Sequence, residues 1–131
     1  SRCQQKKNSI WYPALISASM TFTTDYPSRP PTVTLKPING KPICHPNVYL
    51  NGGICMSLIN PPESTHAYGQ GGDWAPSVTI KQVLVALQVF LDESTSYAAG
   101  REVEYDLWKN NRAEYVRRVK LQVSDAEKFE E

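Results

Sequence analysis

An α+β domain is predicted from three observations: a two-residue apolar alternation early in the chain, a switch to a 3.6-residue period after residue 78, and a cysteine displayed on a stiff turn between them. Strands gathered before helices indicate a sheet with helices on one side rather than alternating β-α units. The chain has 131 residues, 40% of them hydrophobic and three of them tryptophan. That suffices for one core and not for two, so residues 1–131 read as a single domain.

The first strand signal is Leu15 to Thr23, where Ile16, Ala18, Met20 and Phe22 alternate with Ser17, Ser19, Thr21 and Thr23. This is the marking of a sheet with one buried and one wet face. Asp25 to Pro31 holds three prolines and cannot be regular. Its Tyr26-Pro27 bond is a candidate cis peptide, because X-Pro bonds lose most of the trans preference. A short strand follows over Thr32 to Lys36, with Val33 and Leu35 inward, and Asn39-Gly40 marks a turn between Pro37 and Pro42.

Cys44 to Leu58 is the stretch around which the rest is organised. Pro46 restricts its own φ and pushes His45 out of the helical region, and Asn51-Gly52-Gly53 supplies a sharp reversal. Between Ile54 and Met56 stands Cys55. On local physics a small buried hydrophobe and a displayed nucleophile both remain open. A reversal would bring the Asn47 amide toward the sulfur, where it could hold an oxyanion. His45, locked beside Pro46, reads as a structural hydrogen-bonding residue rather than a general base.

Residues 59–73 form a polar loop rich in Gly and Pro, open to two readings: a solvated insertion or a flap beside the thiol. Beyond Trp74-Ala75-Pro76, Thr79 and Gln82 have capping-box spacing. Ile80, Val83, Leu84, Leu87 and Leu91 then mark one helical face, which Val85, Ala86, Val89 and Phe90 widen. This helix is expected to be central and largely buried beneath the sheet. After a break over Asp92 to Gly100, a helix near 101–110 places Val103 and Leu107 on one face. A last helix has Asn111 and Glu114 at its cap, with Tyr115, Val116, Val119 and Val123 behind them. Arg112, Arg117, Arg118 and Lys120 read as a solvated face.

Composition excludes several functions. Three cysteines fit neither a disulfide framework nor a four-ligand zinc site. No apolar run reaches membrane-spanning length, and no Gly-Lys phosphate loop is present. Residues 1–62 carry six basic residues against one acid, and residues 63–131 carry eight against twelve. Without a run of five or six basic residues, direct nucleic-acid binding is not expected.

The segment HPNVYLNGGICMSL resembles the active-site segment of the ubiquitin-conjugating enzyme family, and Tyr26-Pro27-Ser28-Arg29-Pro30-Pro31 and Trp74-Ala75-Pro76 stand in that family's order. Within the family, HPNVY, VTIKQVLVALQ and NRAEYVRRVKLQ are most similar to the SUMO-conjugating branch. The resemblance implies an antiparallel meander sheet packed on a central helix with C-terminal helices. It also implies an N-terminally truncated version of that fold, lacking the first helix and first strand and so exposing a sheet edge.

The resemblance further implies that Cys55 accepts a small modifier as a thioester from an activating enzyme and hands it to a substrate lysine. No cofactor is implied, since ATP is used by the activating enzyme. Asn47 would stabilise the oxyanion or order the loop over it, and Tyr49 would line the lysine channel. Asn51, Gly53, Tyr105 and Asp106 fall at substrate-binding positions, although ordinary packing is a rival role for Tyr49 and Tyr105. Pro27, Ser28, Arg29, Trp74, Ala75 and Pro76 match ligase-facing loops, with a core role open for Trp74.

Implied partners are SUMO or ubiquitin, the activating enzyme, a ligase and lysine-bearing substrate proteins. The complete protein would be a monomer in the nucleus and cytoplasm with no membrane contact. This chain departs from the family at Ala98, where an aspartate or serine is usual and where Ser96 is a neighbouring substitute. It departs again at Thr32 and Thr34, which replace two basic positions, with Lys36 and Lys41 as candidate replacements. A ubiquitin-conjugating enzyme with an extended active-site loop, and a catalytically weak scaffold that binds a modifier or ligase, are the alternative functions.

Overall fold

In the computed structural model, residues 2–4, 7–63, 72–94 and 96–128 are described, the first three by backbone alone. Strands β1 (Arg2–Gln4), β2 (Leu15–Thr21) and β3 (Thr32–Leu35) form an antiparallel sheet in that order. Helices α1 (Ile80–Phe90), α2 (Glu102–Asn110) and α3 (Arg112–Asp125) follow. The α+β meander is thus as expected.

The register explains the alternation. Ala18 pairs with Leu35 and Met20 with Val33, so both strands send the same-parity side chains to one face. Ile16, Ala18, Val33 and Leu35 are buried there. The pattern ends earlier than expected: β2 stops at Thr21, and Phe22 is 47% exposed, set edge-to-face on Tyr26. With no strand partner beyond Thr32, Phe22 has no core layer to enter.

β1 pairs Arg2 with Ser17 and Gln4 with Leu15, which occupies one flank of β2, and β1 is the terminal strand among the described residues. The following segment is a buried plug without a period. Trp11 is fully buried, and its indole N–H donates to the carbonyl of Leu91 at the end of α1. Ser9 donates to Asp92 at 2.6 Å. Tyr12-Pro13 is cis, as is the expected Tyr26-Pro27 bond.

α1 opens on the expected capping box: Thr79 accepts from the N–H of Gln82, and the Gln82 side chain accepts from that of Thr79. Val83, Leu87 and Leu91 are buried, but the expectation of a largely buried helix is corrected, since Val85 and Val89 are about half exposed. A helix against a single layer can bury only one face, and these two valines point away from it.

α2 differs in a similar way. Leu107 packs on the core, whereas Val103 is 60% exposed. A nine-residue helix held by its second half leaves its first turn outside. In α3, Tyr115, Val119 and Val123 are buried behind the Asn111 cap, and Arg112, Arg117, Arg118 and Lys120 are exposed, as expected. Beyond α3, Leu15 donates its N–H to Glu127, tying the chain's last described residues to the start of β2. No helix among the described residues is long and apolar enough to cross a membrane.

Candidate active site

The segment from His45 to Met56 is a double-laced turn. The N–H of Tyr49 donates to Gly53, that of Gly52 to Tyr49, and that of Cys55 to Asn47 at 2.9 Å. Gly52 has φ +90°, and a Cβ there would stand 2.4 Å from the carbonyl oxygen of Leu35, to which the turn is pinned by the bond from Leu35 N–H to Gly52. Only glycine meets both conditions. Asn51 caps the reversal by accepting from Gly53 N–H.

Alternation places the thiol. Val48, Ile54 and Met56 are buried, so Cys55, between the last two, is turned to the rim and half-buried. The Tyr49 side chain neighbours Cys55. Burial, and then the neighbouring Cys55, raise the phenol's pKa, so at neutral pH it remains a donor. Cys44 contrasts with this: burial foremost pushes its thiol up to about 11, and its backbone is tied to Gln122 and Tyr115.

Asn47 is buried, and its amide is engaged on both sides. Its Nδ2 donates to Ser96 Oγ at 3.1 Å, and its Oδ1 accepts from Ser94 Oγ at 2.9 Å. The side chain that the sequence directs toward an oxyanion thus ties the 94–101 loop to the turn carrying Cys55. Ala98 continues the tie: it is buried, and its N–H donates to Pro46. It offers no acid or base.

His45 is a strut. Its Nδ1 accepts from Asn47 N–H, its Nε2–H donates to Glu93, and its ring stacks on Phe90. Burial lowers its pKa to about 4, so the neutral tautomer is held. Sequence reasoning missed Arg101, which is 4% exposed, donates to Ile43 at 2.7 Å and faces Glu104 at 3.2 Å. Nothing in its local pattern separates it from a solvated arginine.

Tyr105 and Asp106 lie on α2. Tyr105 is half-buried with its ring 5.3 Å from Tyr97, and Asp106 is exposed and accepts from Asn110. The two expected ligase-facing loops meet: the Trp74 indole N–H donates to Pro27 at 3.0 Å. Trp74 itself is buried and acts as the clamp, leaving Pro27, Ser28, Arg29 and Pro76 as the exposed surface, with Ala75 half-buried.

Residues 64–71 of the expected 59–73 loop lie outside the described residues. Ile59 belongs instead to a buried 3-10 turn, Ser57–Ile59. The loop's base is closed by backbone bonds from Gly72 to Pro61, Asp73 to Ser57 and Trp74 to Asn60. Glu63 pairs with Arg29. Among the described residues no cluster of metal-ligating side chains is found.

Residues 3–123 match the family model described as ubiquitin-conjugating enzyme. The chain is 36% identical over 115 residues to the SUMO-conjugating enzyme UBC9 of Caenorhabditis elegans, covering 88% of this chain and 61% of that protein. It is 35% identical over 117 residues to Sumo-conjugating enzyme ubc9 of Dictyostelium discoideum, covering 89% and 65%. It is 34% identical to SUMO-conjugating enzyme SCE1 of Arabidopsis thaliana, also over 117 residues and with the same coverage. The chain therefore spans less than two thirds of the length of these relatives.

Proposed function

The chain belongs to the ubiquitin-conjugating enzyme family, and from that premise we propose that it is a SUMO-conjugating enzyme with Cys55 as the acceptor of the modifier. One observation carries the reading: a half-buried thiol on a laced turn, held between the buried Ile54 and Met56. The names of the three relatives support the choice of modifier.

In the first exchange the Cys55 thiolate attacks the thioester carbonyl presented by the activating enzyme. A new sulfur–carbonyl bond forms and the upstream thiol leaves. In the second, a neutral lysine amine attacks the Cys55 thioester, the isopeptide forms, and the Cys55 sulfur departs and regains a proton. The lysine must shed its own proton first, and an apolar rim that desolvates it lowers its pKa. Tyr49 lines the approach. Asn47 supports the loop over the site through Ser94 and Ser96. Nothing in this scheme needs a cofactor in this chain, because ATP is used upstream. A ligase would dock on Pro27, Ser28, Arg29 and Pro76, and the protein would work as a monomer in nucleus and cytoplasm.

Thioester loading tests the reading. Full-length protein incubated with ATP, activating enzyme and SUMO is expected to gain a reducible mass increment, absent in Cys55→Ala. Loading by ubiquitin alone would reassign it as a ubiquitin-conjugating enzyme. Loading by neither would leave a scaffold, a reading to which the buried, unreactive Ala98 lends its weight.

A further inference from the structure

The loop between α1 and α2 is fastened to the active-site turn at two points, Ser96 to Asn47 and Ala98 to Pro46. Ser96 and Ala98 are held to that turn on either side of Tyr97, Ala98 is buried, and Tyr97 stands out from the surface. Tyr97 is 47% exposed and meets Tyr105 at 5.3 Å, with the ring planes 41° apart. Leu50 is 60% exposed, its Cδ1 3.4 Å from where a Cβ on Gly100 would stand, and it belongs to the turn that carries Cys55. Tyr97 and Tyr105 thus form an aromatic wall between α2 and the loop fastened to the active-site turn.

The charges around this wall are divided. On α2, Glu102 and Asp106 are exposed, Glu104 faces the buried Arg101, and Lys109 sits at the far end. On β3, Thr32 and Thr34 are uncharged, and Lys36 and Lys41 are exposed beyond them. Electron-rich ring faces beside carboxylates attract a cation whose aliphatic stem can lie along the wall.

We propose that Tyr97, with Tyr105 and Asp106, is a specificity-determining residue that favours acceptor segments carrying an arginine or lysine beside the acceptor lysine. This rests on the transfer reading above. It names an acceptor chemistry opposite in sign to an acidic one, which Lys36 and Lys41 would favour instead.

The test loads full-length protein with SUMO, confirms the thioester on a non-reducing gel, then chases with three peptides. Each has one acceptor lysine, with arginine, alanine or glutamate beside it. The arginine peptide is expected to discharge the thioester roughly 3- to 10-fold faster than the alanine peptide at subsaturating concentration, and the glutamate peptide slowest. Tyr97→Ala removes the arginine advantage through apparent KM, and Tyr97→Phe, which keeps the ring, retains it. Asp106→Lys reverses the order of the arginine and glutamate peptides, a change that a merely structural role would not produce. Equal rates for the three peptides, a faster glutamate peptide, or a preference surviving Tyr97→Ala would overturn the proposal. A protein that does not load overturns the transfer reading and this inference with it, whereas one that loads and shows no preference overturns the inference alone.

Discussion

Asn47 and Cys55 are joined through the backbone, the carbonyl of Asn47 accepting the N–H of Cys55 at 2.9 Å, while the Asn47 side chain holds Ser94 and Ser96. One residue therefore sets both the thiol's position and the loop beside it. Asn47→Ala takes a partner from both hydroxyls, leaving Ser94 its bond to the Ser96 carbonyl, at a cost of roughly 1–3 kcal/mol. Urea denaturation is expected to show that loss, and Ser96→Ala in the Asn47→Ala background should add little, because the donor to its hydroxyl is already gone. Lysine transfer should slow more than thioester loading.

His45 gives the fold a pH dependence. Unfolded, its imidazole takes up a proton as pH falls through about 6.5, whereas the folded one resists until about 4. The unfolded state binds more protons across that window, so stability is complete above pH 6.5 and declines toward pH 4, by on the order of 3 kcal/mol. Denaturation midpoints at pH 7 and pH 4.5 read the effect. His45→Gln, which does not titrate, should flatten the slope in this window.

Gly52→Ala is expected to disrupt the active-site turn, because its Cβ would press on the Leu35 carbonyl at 2.4 Å in a left-handed backbone. Gly40, at φ +73° with nothing within 4 Å, is the control. There only the backbone penalty applies, about 1–2 kcal/mol, and thioester loading should survive. A Gly52→Ala protein as stable and as easily loaded as Gly40→Ala would contradict this account.

The two described thiols should differ in reactivity. With its pKa pushed up to about 11, Cys44 offers little thiolate at pH 8. Iodoacetamide followed by peptide mapping is expected to label Cys55 well ahead of Cys44. Equal labelling of the two in the folded protein would show that burial does not protect Cys44.

Trp74→Phe loses the bond to Pro27 and part of a buried indole, a loss of at least about 1 kcal/mol. Arg29→Ala breaks the exposed pair with Glu63 and should change stability by less than about 1 kcal/mol. Thermal melts of the two variants distinguish a clamp from a surface contact.

Much of the fold was legible because its signals are local. The β2 alternation, the Thr79–Gln82 capping box and the Asn39-Gly40 turn each arise from neighbouring residues, and each is found. Trp11, Arg101 and the exposed Val85 were not legible, since burial depends on what a distant segment brings. Leu91 receives the Trp11 indole from 80 residues away, and Ile43 receives Arg101 from 58.

The chain's own order of residues determined that a cysteine stands between two core anchors after a proline-stiffened turn, since φ restrictions and period act over a few bonds. Tertiary structure alone decided that Asn47 grips Ser94 and Ser96 and that Ala98 is tied to Pro46. Such contacts exist only once packing of the sheet, α1 and α2 has brought segments nearly 50 residues apart to one rim, and no short-range rule carries that information.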